Sequence, residues 1–376
     1  MVIEPVNDRA ALRRFLKTPW PIYADDPCWV PPLLFERLEH LDPRKNPYFD
    51  QAETAFWTAR RGDTPVGRIS AQVNRAHLEQ HRDTTGHFGF LEGIDDAEVF
   101  AALLETAEGW LRERGLTRAV GPFSLSINDE SGLLIEGFET PPYLMMGHAR
   151  AYYARRLEAQ GYRKAKDMIA FTSDMTAAPP PVVTATLAKL QGKANVNLRH
   201  LNMAHYRREI ETIVDIFNDA WAENWGFIPM SPAEAAFLAK NLKPLITPEF
   251  VAIAEVEGEP AAMAVTLPNV NEAIADLDGR LLPFGWAKLL WRLKVKGTRT
   301  GRMPLMGVRR RYQKGPLGLA LALGVIDAVH RYHQARGTKC GELSWVFEDN
   351  RPVRRIIEML GAKPYKTYRL YQKDLV

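Results

Sequence analysis

A basic, glycine-containing stretch at residues 309–318, RRRYQKGPLG, carries the residue types that bind phosphate. Its cations and glycines are Arg309, Arg310, Arg311, Lys314, Gly315 and Gly318. An apolar strand pattern ends at Val308, just before the stretch, and an apolar helix pattern begins just after it. Because the first turn of a helix presents free N–H groups and a partial positive charge, this arrangement predicts a phosphate-binding loop. A solvated basic turn at the edge of a sheet is the competing interpretation.

Titratable side chains suited to proton transfer occur in the first half of the chain. His77 and His81 are spaced to share a helical face, and the SINDESG stretch contributes Asp129 and Glu130. His77, Asp129 and Glu130 are candidate general bases for an amine substrate. The histidines lack the HExxH order and a nearby cysteine, so no metal site is predicted. A capped polar turn is the competing interpretation of SINDESG.

An insertion at residues 271–300 combines large apolar side chains with charged residues that are all cations over 280–300. Phe284, Trp286 and Trp291 alternate there with leucine, lysine and arginine. This composition is typical of an amphipathic helix at a membrane interface, so we expect the segment to dock on a membrane or to admit a lipid substrate. An ordinary helix that packs on the core with a basic outer face is the alternative.

The whole chain has the composition of a folded globular protein. It has 376 residues, of which 46% are hydrophobic and 25% are charged, and a net charge of +4. This length favours two domains, and the mild charge tolerates an anionic partner without requiring nucleic acid. The two cysteines lie far apart and the first residues carry charges where a signal peptide is apolar, so we expect a cytoplasmic setting. No membrane-spanning helix is predicted, since no apolar run of about 18 residues exists.

One order of elements repeats on either side of a proline-rich stretch. Each half has the patterns of three strands, a helix, a strand, a helix and a closing strand, and the second half adds a helix after its first strand. This predicts an α/β (α+β) fold with two tandem domains, each a mixed, mostly antiparallel sheet flanked by helices. The predicted domains are residues 1–175 and 186–376, and residues 176–185 are the predicted linker.

The second half also resembles the acyl-CoA N-acyltransferase (GNAT) superfamily. The resemblance rests on the strand, basic loop and helix at 303–333 and on a second motif, formed by Asn350, Leu360, Gly361 and Tyr371. It implies that Val308, the loop residues named above and Asn350 bind acyl-CoA as a co-substrate. It also implies that Tyr371 protonates the departing thiolate, although a packed aromatic is the alternative at that position.

The match to the superfamily pattern is incomplete. In the loop, Leu317 stands where the pattern has a small residue, and Tyr312 stands where Arg or Gln is usual. The first half has acidic residues, Glu92, Asp95 and Asp96, where the second half has the basic loop. Carboxylates stabilise a helix N-terminus but repel a pyrophosphate, so we expect one cofactor site, in the second domain.

Four further stretches, PWPIYADDPCWVPPL, LDPRKNPYF, INDESGLLIEGF and RLLPFGW, extend the resemblance over the whole chain. With them the chain resembles a group of double-domain bacterial GNAT-like proteins, some of which are implicated as ceramide synthases that N-acylate a sphingoid base. The resemblance implies an acyl-CoA-dependent N-acyltransferase that acts on a lipid-like amine, with peripheral membrane contact. Three alternatives stay open: an acyl-CoA-binding module without catalysis, an acetyltransferase for a small amine, and a transferase that uses aminoacyl-tRNA. The cations cluster at 280–314 rather than across both halves, which favours the lipid-like amine over RNA.

Overall fold

A computed structural model describes residues 1–191 and 195–375, which form two compact units. The first unit contains Met1–Met168, Ile274–Gly285 and residues 366–375. The second contains the described residues of Ile169–Ala273 together with Trp286–Tyr365. The predicted linker at 176–185 runs into a helix that begins at Pro181. The chain therefore passes into the second unit inside a strand, earlier than the predicted linker, and its C-terminal residues return to the first.

The first unit contains a mixed sheet with the strand order β1-β2-β3-β4-β5-β13, on which β6 pairs with β13. The helices and strands up to the crossing strand are β1 (Val2–Pro5), α1 (Arg9–Lys17), α2 (Pro19–Ile22), α3 (Leu34–His40), α4 (Tyr48–Gln51), β2 (Ala52–Arg61), β3 (Thr64–Asn74), α5 (Arg75–His81), β4 (Thr85–Gly93), α6 (Ala97–Arg112), β5 (Arg118–Gly121), β6 (Leu133–Glu136), α7 (Tyr152–Ala159) and β7 (Arg163–Asp174).

The second unit contains a sheet with the strand order β7-β12-β11-β10-β9-β8, in which β8 to β11 are antiparallel and β11 and β12 are parallel. Its remaining elements, with the strand that returns to the first unit, are α8 (Pro181–Gln191), β8 (Val196–His200), α9 (Tyr206–Ala220), α10 (Pro232–Leu242), β9 (Val251–Val256), β10 (Glu259–Pro268), α11 (Val270–Ile274), α12 (Gly285–Trp291), β11 (Thr300–Val308), α13 (Arg310–Gln313), α14 (Pro316–Ala335), β12 (Cys340–Phe347), α15 (Arg351–Met359) and β13 (Lys363–Asp374).

Alanines in the second sheet allow helix α14 to lie close to it. Ala252, Ala254, Ala262 and Ala264 are fully buried against Leu321 and Val325 of α14. Their small side chains bring the long helix onto the strands, and this contact fixes where its N-terminus lies at the end of β11. The helix begins at Pro316 as predicted.

Helix α9 packs on the opposite face of the same sheet. Met263 lies between Ala262 and Ala264 in β10, so its side chain points away from α14. A β-carbon at Gly307 of β11 would lie 3.1 Å from Cβ of Ala220, the last residue of α9, and 3.5 Å from Cε of Met263. The sheet thus separates an α14 side from an α9 side.

The closing strand of the chain completes the sheet of the first unit. In β13, Tyr371 is the register partner of Gly121 and Asp374 that of Arg118, both in β5. Residues 1–168 therefore lack one of the strands of their own sheet. This strand placement is the main departure from a simple arrangement of two sequential domains.

Candidate functional site

A cleft opens in the second unit where β11 and β12 separate. The two strands pair in parallel from Thr300 and Cys340 to Met303 and Leu343, and the register ends there. The next residue of β11, Pro304, has no N–H group to continue a ladder. Beyond this point the separated strands line a cleft of about 810 Å³.

A β-bulge in β11 contributes to this separation. Val265 of β10 is the partner of Leu305, whereas Leu267 is the partner of Arg302, so β11 carries one extra residue between these pairs. Bulges bend and twist a strand and leave one residue outside the ladder. The strand is thus redirected at the point where its pairing with β12 stops.

A buried polar cluster closes the lower end of the cleft. Arg302 Nε lies 3.5 Å from Glu342 Oε1 and donates a 2.8 Å hydrogen bond to Ser344 Oγ, which in turn donates to Glu342 over 2.5 Å. The hydroxyl of Tyr365 donates to the other carboxylate oxygen of Glu342. Ser344 lines the cleft, so this cluster holds the two strands together directly below the opening.

The two glycines of the basic loop have different structural roles. Gly315 has φ of 104°, a conformation that favours glycine, and it precedes Pro316 at the first position of α14. At Gly318 a β-carbon would lie 2.2 Å from the carbonyl oxygen of Tyr312, so only glycine lets the loop pack on the first turn of the helix. No side chain caps this helix, which leaves its first N–H groups directed out of the N-terminus.

The four predicted cations of the loop have different partners. The Arg309 guanidinium donates to Asp215 over 2.5 Å and to the Pro260 carbonyl over 2.7 Å, which holds the loop against α9. Arg310 pairs with Asp219, and both Arg310 and Lys314 line the cleft. Arg311 is exposed, with its guanidinium 4.8 Å from the centre of the Tyr312 ring.

Two further predicted contact residues, Val308 and Asn350, lie at the cleft walls, and one arginine that was not predicted lies there too. Val308 is buried against α14 and its carbonyl accepts a 2.9 Å hydrogen bond from Gln313. Asn350 caps α15 through its side-chain oxygen, which accepts from the Val353 N–H over 3.3 Å. Arg355, an exposed residue of α15 that the sequence patterns did not single out, also lines the cleft.

An aromatic row that was not predicted lines the same cleft. It consists of Trp221 and Trp225, which follow α9, and Trp345 and Phe347 of β12. The ring centres of Trp221 and Trp345 are 5.8 Å apart, those of Trp345 and Phe347 4.9 Å, and those of Trp225 and Phe347 5.9 Å. The two tryptophans after α9 are four positions apart in the sequence, but their pattern alone does not distinguish a site from a core.

The predicted bases lie in the first unit. His77 is in α5, and its Nε2 is 3.3 Å from Asp83 Oδ1 while the rings of His77 and His81 are 4.5 Å apart. Burial lowers the pKa of His77 to about 4. Asp129 accepts a 2.7 Å hydrogen bond from Ser126 Oγ, and Glu130 pairs with Arg37 at 2.8 Å.

The predicted acid also lies in the first unit. Tyr371 is fully buried in β13, and its hydroxyl donates to Glu158 over 3.1 Å. Burial, and then the Glu158 carboxylate, raise the pKa of Tyr371 to about 12. Tyr371, His77, Asp129 and Glu130 are therefore not part of the unit that contains the cleft, and their catalytic roles stay predictions.

The corresponding region of the first unit is filled by its own side chains. Tyr152 donates to the Gly93 carbonyl over 2.7 Å, and the Tyr153 hydroxyl accepts from the Gly93 N–H over 3.1 Å. Glu92 is partly buried, with 13% of its side chain exposed, and accepts 2.7 Å hydrogen bonds from Tyr23 and Tyr153. These contacts join the end of β4 to the start of α7. The second unit has its open cleft at the corresponding position.

The segment around α12 is strongly exposed. The fractional exposures of Phe284, Trp286 and Trp291 are 78%, 51% and 53%. Lys296 lies 6.0 Å from the centre of the Trp291 ring. In the described residues, no helix is long and apolar enough to cross a membrane. The same residues contain no group of three or more His, Cys, Asp or Glu side chains that could hold a metal ion.

Solved structures with the same fold cover the whole chain. A tandem GNAT protein from the clavulanic acid biosynthesis pathway matches with a TM-score of 0.58 and 15% identity, over 100% of this chain and 98% of that one. A GCN5-related N-acetyltransferase from Sphaerobacter thermophilus matches with a TM-score of 0.51 and 13% identity, over 100% and 95%. The chain thus has the tandem GNAT fold, and the predicted fold class is confirmed.

Curated relatives define the family more closely, although no family model matches the chain. The chain is 47% identical over 372 residues to the bacterial ceramide synthase of Caulobacter vibrioides, across 99% of this chain and 97% of the relative. It is 46% identical over 369 residues to protein YghO of Escherichia coli, across 97% and 93%. The chain belongs to the family of this bacterial ceramide synthase. The predicted class, a GNAT-fold N-acyltransferase, is confirmed by this relationship.

Proposed function

We propose that the protein transfers a long acyl group from acyl-CoA to the amine of a sphingoid base, as a bacterial ceramide synthase. The observation that carries this proposal is the open cleft between β11 and β12, which leads to the uncapped N-terminus of α14. An extended thioester fits between two separated strands, and phosphates fit at a helix N-terminus. The name of the Caulobacter relative supports the choice of acceptor.

The loop residues provide the groups that phosphates require. Leu317 and Gly318 lie in the first turn of α14, where backbone N–H groups have no partner inside the helix. Lys314, Arg310 and Arg355 add cationic side chains around the opening. We expect these residues to bind the phosphates of CoA, and Arg309 to position the loop through its contacts with Asp215 and Pro260.

The reaction replaces the C–S bond of the thioester with the C–N bond of an amide. The neutral amine nitrogen attacks the thioester carbonyl, the C–N bond forms, and the C–S bond breaks as CoA leaves. The nitrogen loses a proton and the thiolate gains one, so the transfer needs no oxidant or metal. Backbone N–H groups of the separated strands are suited to stabilise the oxyanion that develops at the carbonyl.

The proton-transfer groups are part of the proposal. Tyr371 is proposed as the acid, and His77, Asp129 or Glu130 as the base. Because its pKa is about 4, the His77 imidazole is neutral at physiological pH but accepts a proton only weakly, so a carboxylate of Asp129 or Glu130 is favoured as the base no less than His77. Tyr371→Phe and His77→Gln test these roles: loss of turnover with unchanged CoA binding supports them, and wild-type turnover in both variants contradicts them.

Peripheral membrane contact is proposed for α12 and the residues that follow it. Trp286, Leu290, Trp291 and Val295 are exposed large hydrophobic side chains there, and Lys288, Lys294 and Lys296 accompany them. Tryptophan rings favour the interfacial region, and lysines interact with anionic headgroups. Such contact gives access to acceptors that reside in the bilayer.

Release of free CoA thiol tests the function. Purified protein is incubated with palmitoyl-CoA and, separately, with sphinganine, spermidine and amino acids. We expect thiol release with sphinganine together with an N-acylated product in the mass spectrum. Turnover only with polar amines would overturn the choice of acceptor, and CoA binding without any turnover would identify a binding module. An Arg310→Glu, Lys314→Glu double variant is expected to lose CoA binding.

A further inference from the structure

The aromatic row of Trp221, Trp225, Trp345 and Phe347 has the form of a binding wall rather than a sealed core. The three tryptophans are only partly buried, and all four rings line the cleft. Their ring centres follow each other at 4.9–5.9 Å, with Trp345 next in sequence to Ser344 at the lower end of the cleft. Aromatic faces in this arrangement provide a continuous apolar surface.

The row lies on the α9 side of the sheet, in the same cleft as the phosphate loop. Trp221 directly follows α9, and its ring also lies 4.8 Å from that of Phe217 within α9. The uncapped N-terminus of α14 lies on the other side. A CoA molecule bound on the α14 side therefore leaves the aromatic row for the second substrate.

The charges near the row do not suit a small cationic substrate. Glu223 lines the cleft, and its carboxylate pairs with the Arg310 guanidinium at 3.4 Å. The cleft lining also contains a second carboxylate, Asp349, and the neutral polar residues Asn224 and Ser344. A polyamine site needs an excess of carboxylates, whereas in this cleft the three cations Arg310, Lys314 and Arg355 outnumber the two carboxylates.

A separate chamber lies on the α14 side. It has a volume of about 90 Å³ and shares Met303, Ile326 and Leu343 with the cleft. Its apolar lining includes Pro179, Val183 and Val329. A chamber of this size holds only a few methylene groups of hydrocarbon attached to CoA, on the side of the sheet opposite the aromatic row.

We infer that the aromatic row binds the hydrocarbon chain of the amine acceptor and selects long-chain amines. The inference rests on the proposed N-acyl transfer and adds which residues recognise the acceptor. Buried methylene groups contribute about 0.8 kcal/mol each, so loss of contact with several of them lowers affinity by an order of magnitude or more. Selectivity should therefore depend on the length of the amine chain.

The test compares amine chain length in Trp345→Ala and Trp221→Ala variants. With palmitoyl-CoA fixed, kcat/KM is measured for sphinganine and for shorter 2-amino-1,3-diols. We expect kcat/KM for sphinganine to fall at least tenfold and that for the shortest amine to stay within about twofold of wild type. A series of acyl-CoA chain lengths with one amine should keep its wild-type order. Trp110→Ala, at a partly buried tryptophan of the first unit, is the matched control.

Each contrary result has a distinct meaning. An equal loss for short and long amines means that the rings only support the fold, which overturns the inference. A changed preference among acyl-CoA chain lengths, with the amine series unchanged, places the acyl tail on the row and also overturns it. If wild-type protein acylates no amine, the proposed function fails instead. Quenching of tryptophan fluorescence by a brominated long-chain amine, weaker in Trp345→Ala, supports the inference without requiring turnover.

Discussion

Arg302 and Glu342 are register partners across β11 and β12, and both are buried directly below the point where the strands separate. Their side-chain exposures are 4% and 0%, with Nε and Oε1 3.5 Å apart. The pair thus joins the strands at the one end of the cleft where they still form a ladder. The cleft above the pair therefore depends on this contact to fix the spacing of the two strands.

Removing one member of this pair should destabilise the second unit strongly. Arg302→Met retains side-chain length but leaves the Glu342 charge uncompensated, so we expect a loss of about 3–5 kcal/mol in the free energy of unfolding. Urea denaturation followed by circular dichroism measures it. The control is Arg207→Met, which removes an exposed pair with Glu211 and should cost less than about 0.5 kcal/mol. Equal effects of the two substitutions would contradict a structural role for the buried pair.

Gly318→Ala should abolish the phosphate loop rather than stabilise its helix. Alanine normally stabilises a helix interior by about 1 kcal/mol relative to glycine. At Gly318 its β-carbon would lie 2.2 Å from the Tyr312 carbonyl oxygen, so the loop has to move. We expect CoA affinity, measured by calorimetry, to fall at least tenfold while the circular dichroism spectrum is kept. Gly109→Ala in α6 has no atom within 4 Å and should bind CoA like wild type.

Charge at Lys314 should control CoA binding through electrostatics. Lys314 is exposed and lines the cleft, so Lys314→Glu places a negative charge beside the phosphates and should weaken CoA binding by roughly tenfold or more at low salt. The difference from wild type should shrink as salt increases. Lys240→Glu makes the same charge change on α10 and should leave the affinity unchanged. Equal losses in both variants would point to net charge instead of the loop.

Histidine burial should make the protein less stable in mild acid. His333 stacks on Phe250 and its Nε2 lies 2.8 Å from Thr266 Oγ1. Burial lowers the pKa of His333 to about 4, from 6.5 when unfolded. Between these values the unfolded chain binds the proton and the folded protein does not, so stability is full above pH 6.5 and is lost as pH falls towards 4. Urea titrations at several pH values give the slope of the free energy of unfolding against pH. His333→Asn should reduce this slope by up to the equivalent of one proton, and an unchanged slope would show that His333 does not cause the loss of stability in acid.

Membrane contact should depend on the tryptophans near α12. Trp291→Ser removes an exposed ring beside Lys296. We expect binding to phosphatidylglycerol-containing vesicles, measured by flotation, to fall by roughly tenfold in a Trp286→Ser, Trp291→Ser variant. Neutral phosphatidylcholine vesicles should bind more weakly, since the nearby charges are cations. Trp110→Ser is the control and should bind vesicles like wild type. If the double variant also binds vesicles like wild type, the segment has no role in membrane contact.

The sequence contains enough information to predict most local elements of the second unit. The hairpin turn at Glu257 and Gly258 has positive φ at both residues, as a two-residue turn requires. The start of α14 at Pro316 follows from the glycine and proline before an apolar helical pattern. Pro304 inside a strand pattern also indicates that strand pairing ends there. It does not indicate which strand is the partner.

Contacts between segments that are distant in the sequence were harder to predict, because a local pattern does not indicate which segment will pack against it. The alternation in β13 predicts a strand, but nothing in it distinguishes pairing with β5 from pairing within the second unit. The same holds for the site: Trp221 and Trp345 are 5.8 Å apart in the structure but belong to distant segments. Arg355 was missed because its place beside the cleft depends on how α15 is packed.

The position of β13 has a consequence for how the protein is made. Arg118 and Asp374 are 256 residues apart in the chain, yet their side chains meet at 3.3 Å. During translation the edge of β5 stays unpaired until β13 is synthesised, and the second unit is made in between. Newly made residues 1–168 therefore expose an unpaired strand edge to other chains, and a fragment cut at the proline-rich stretch should aggregate where the full chain does not.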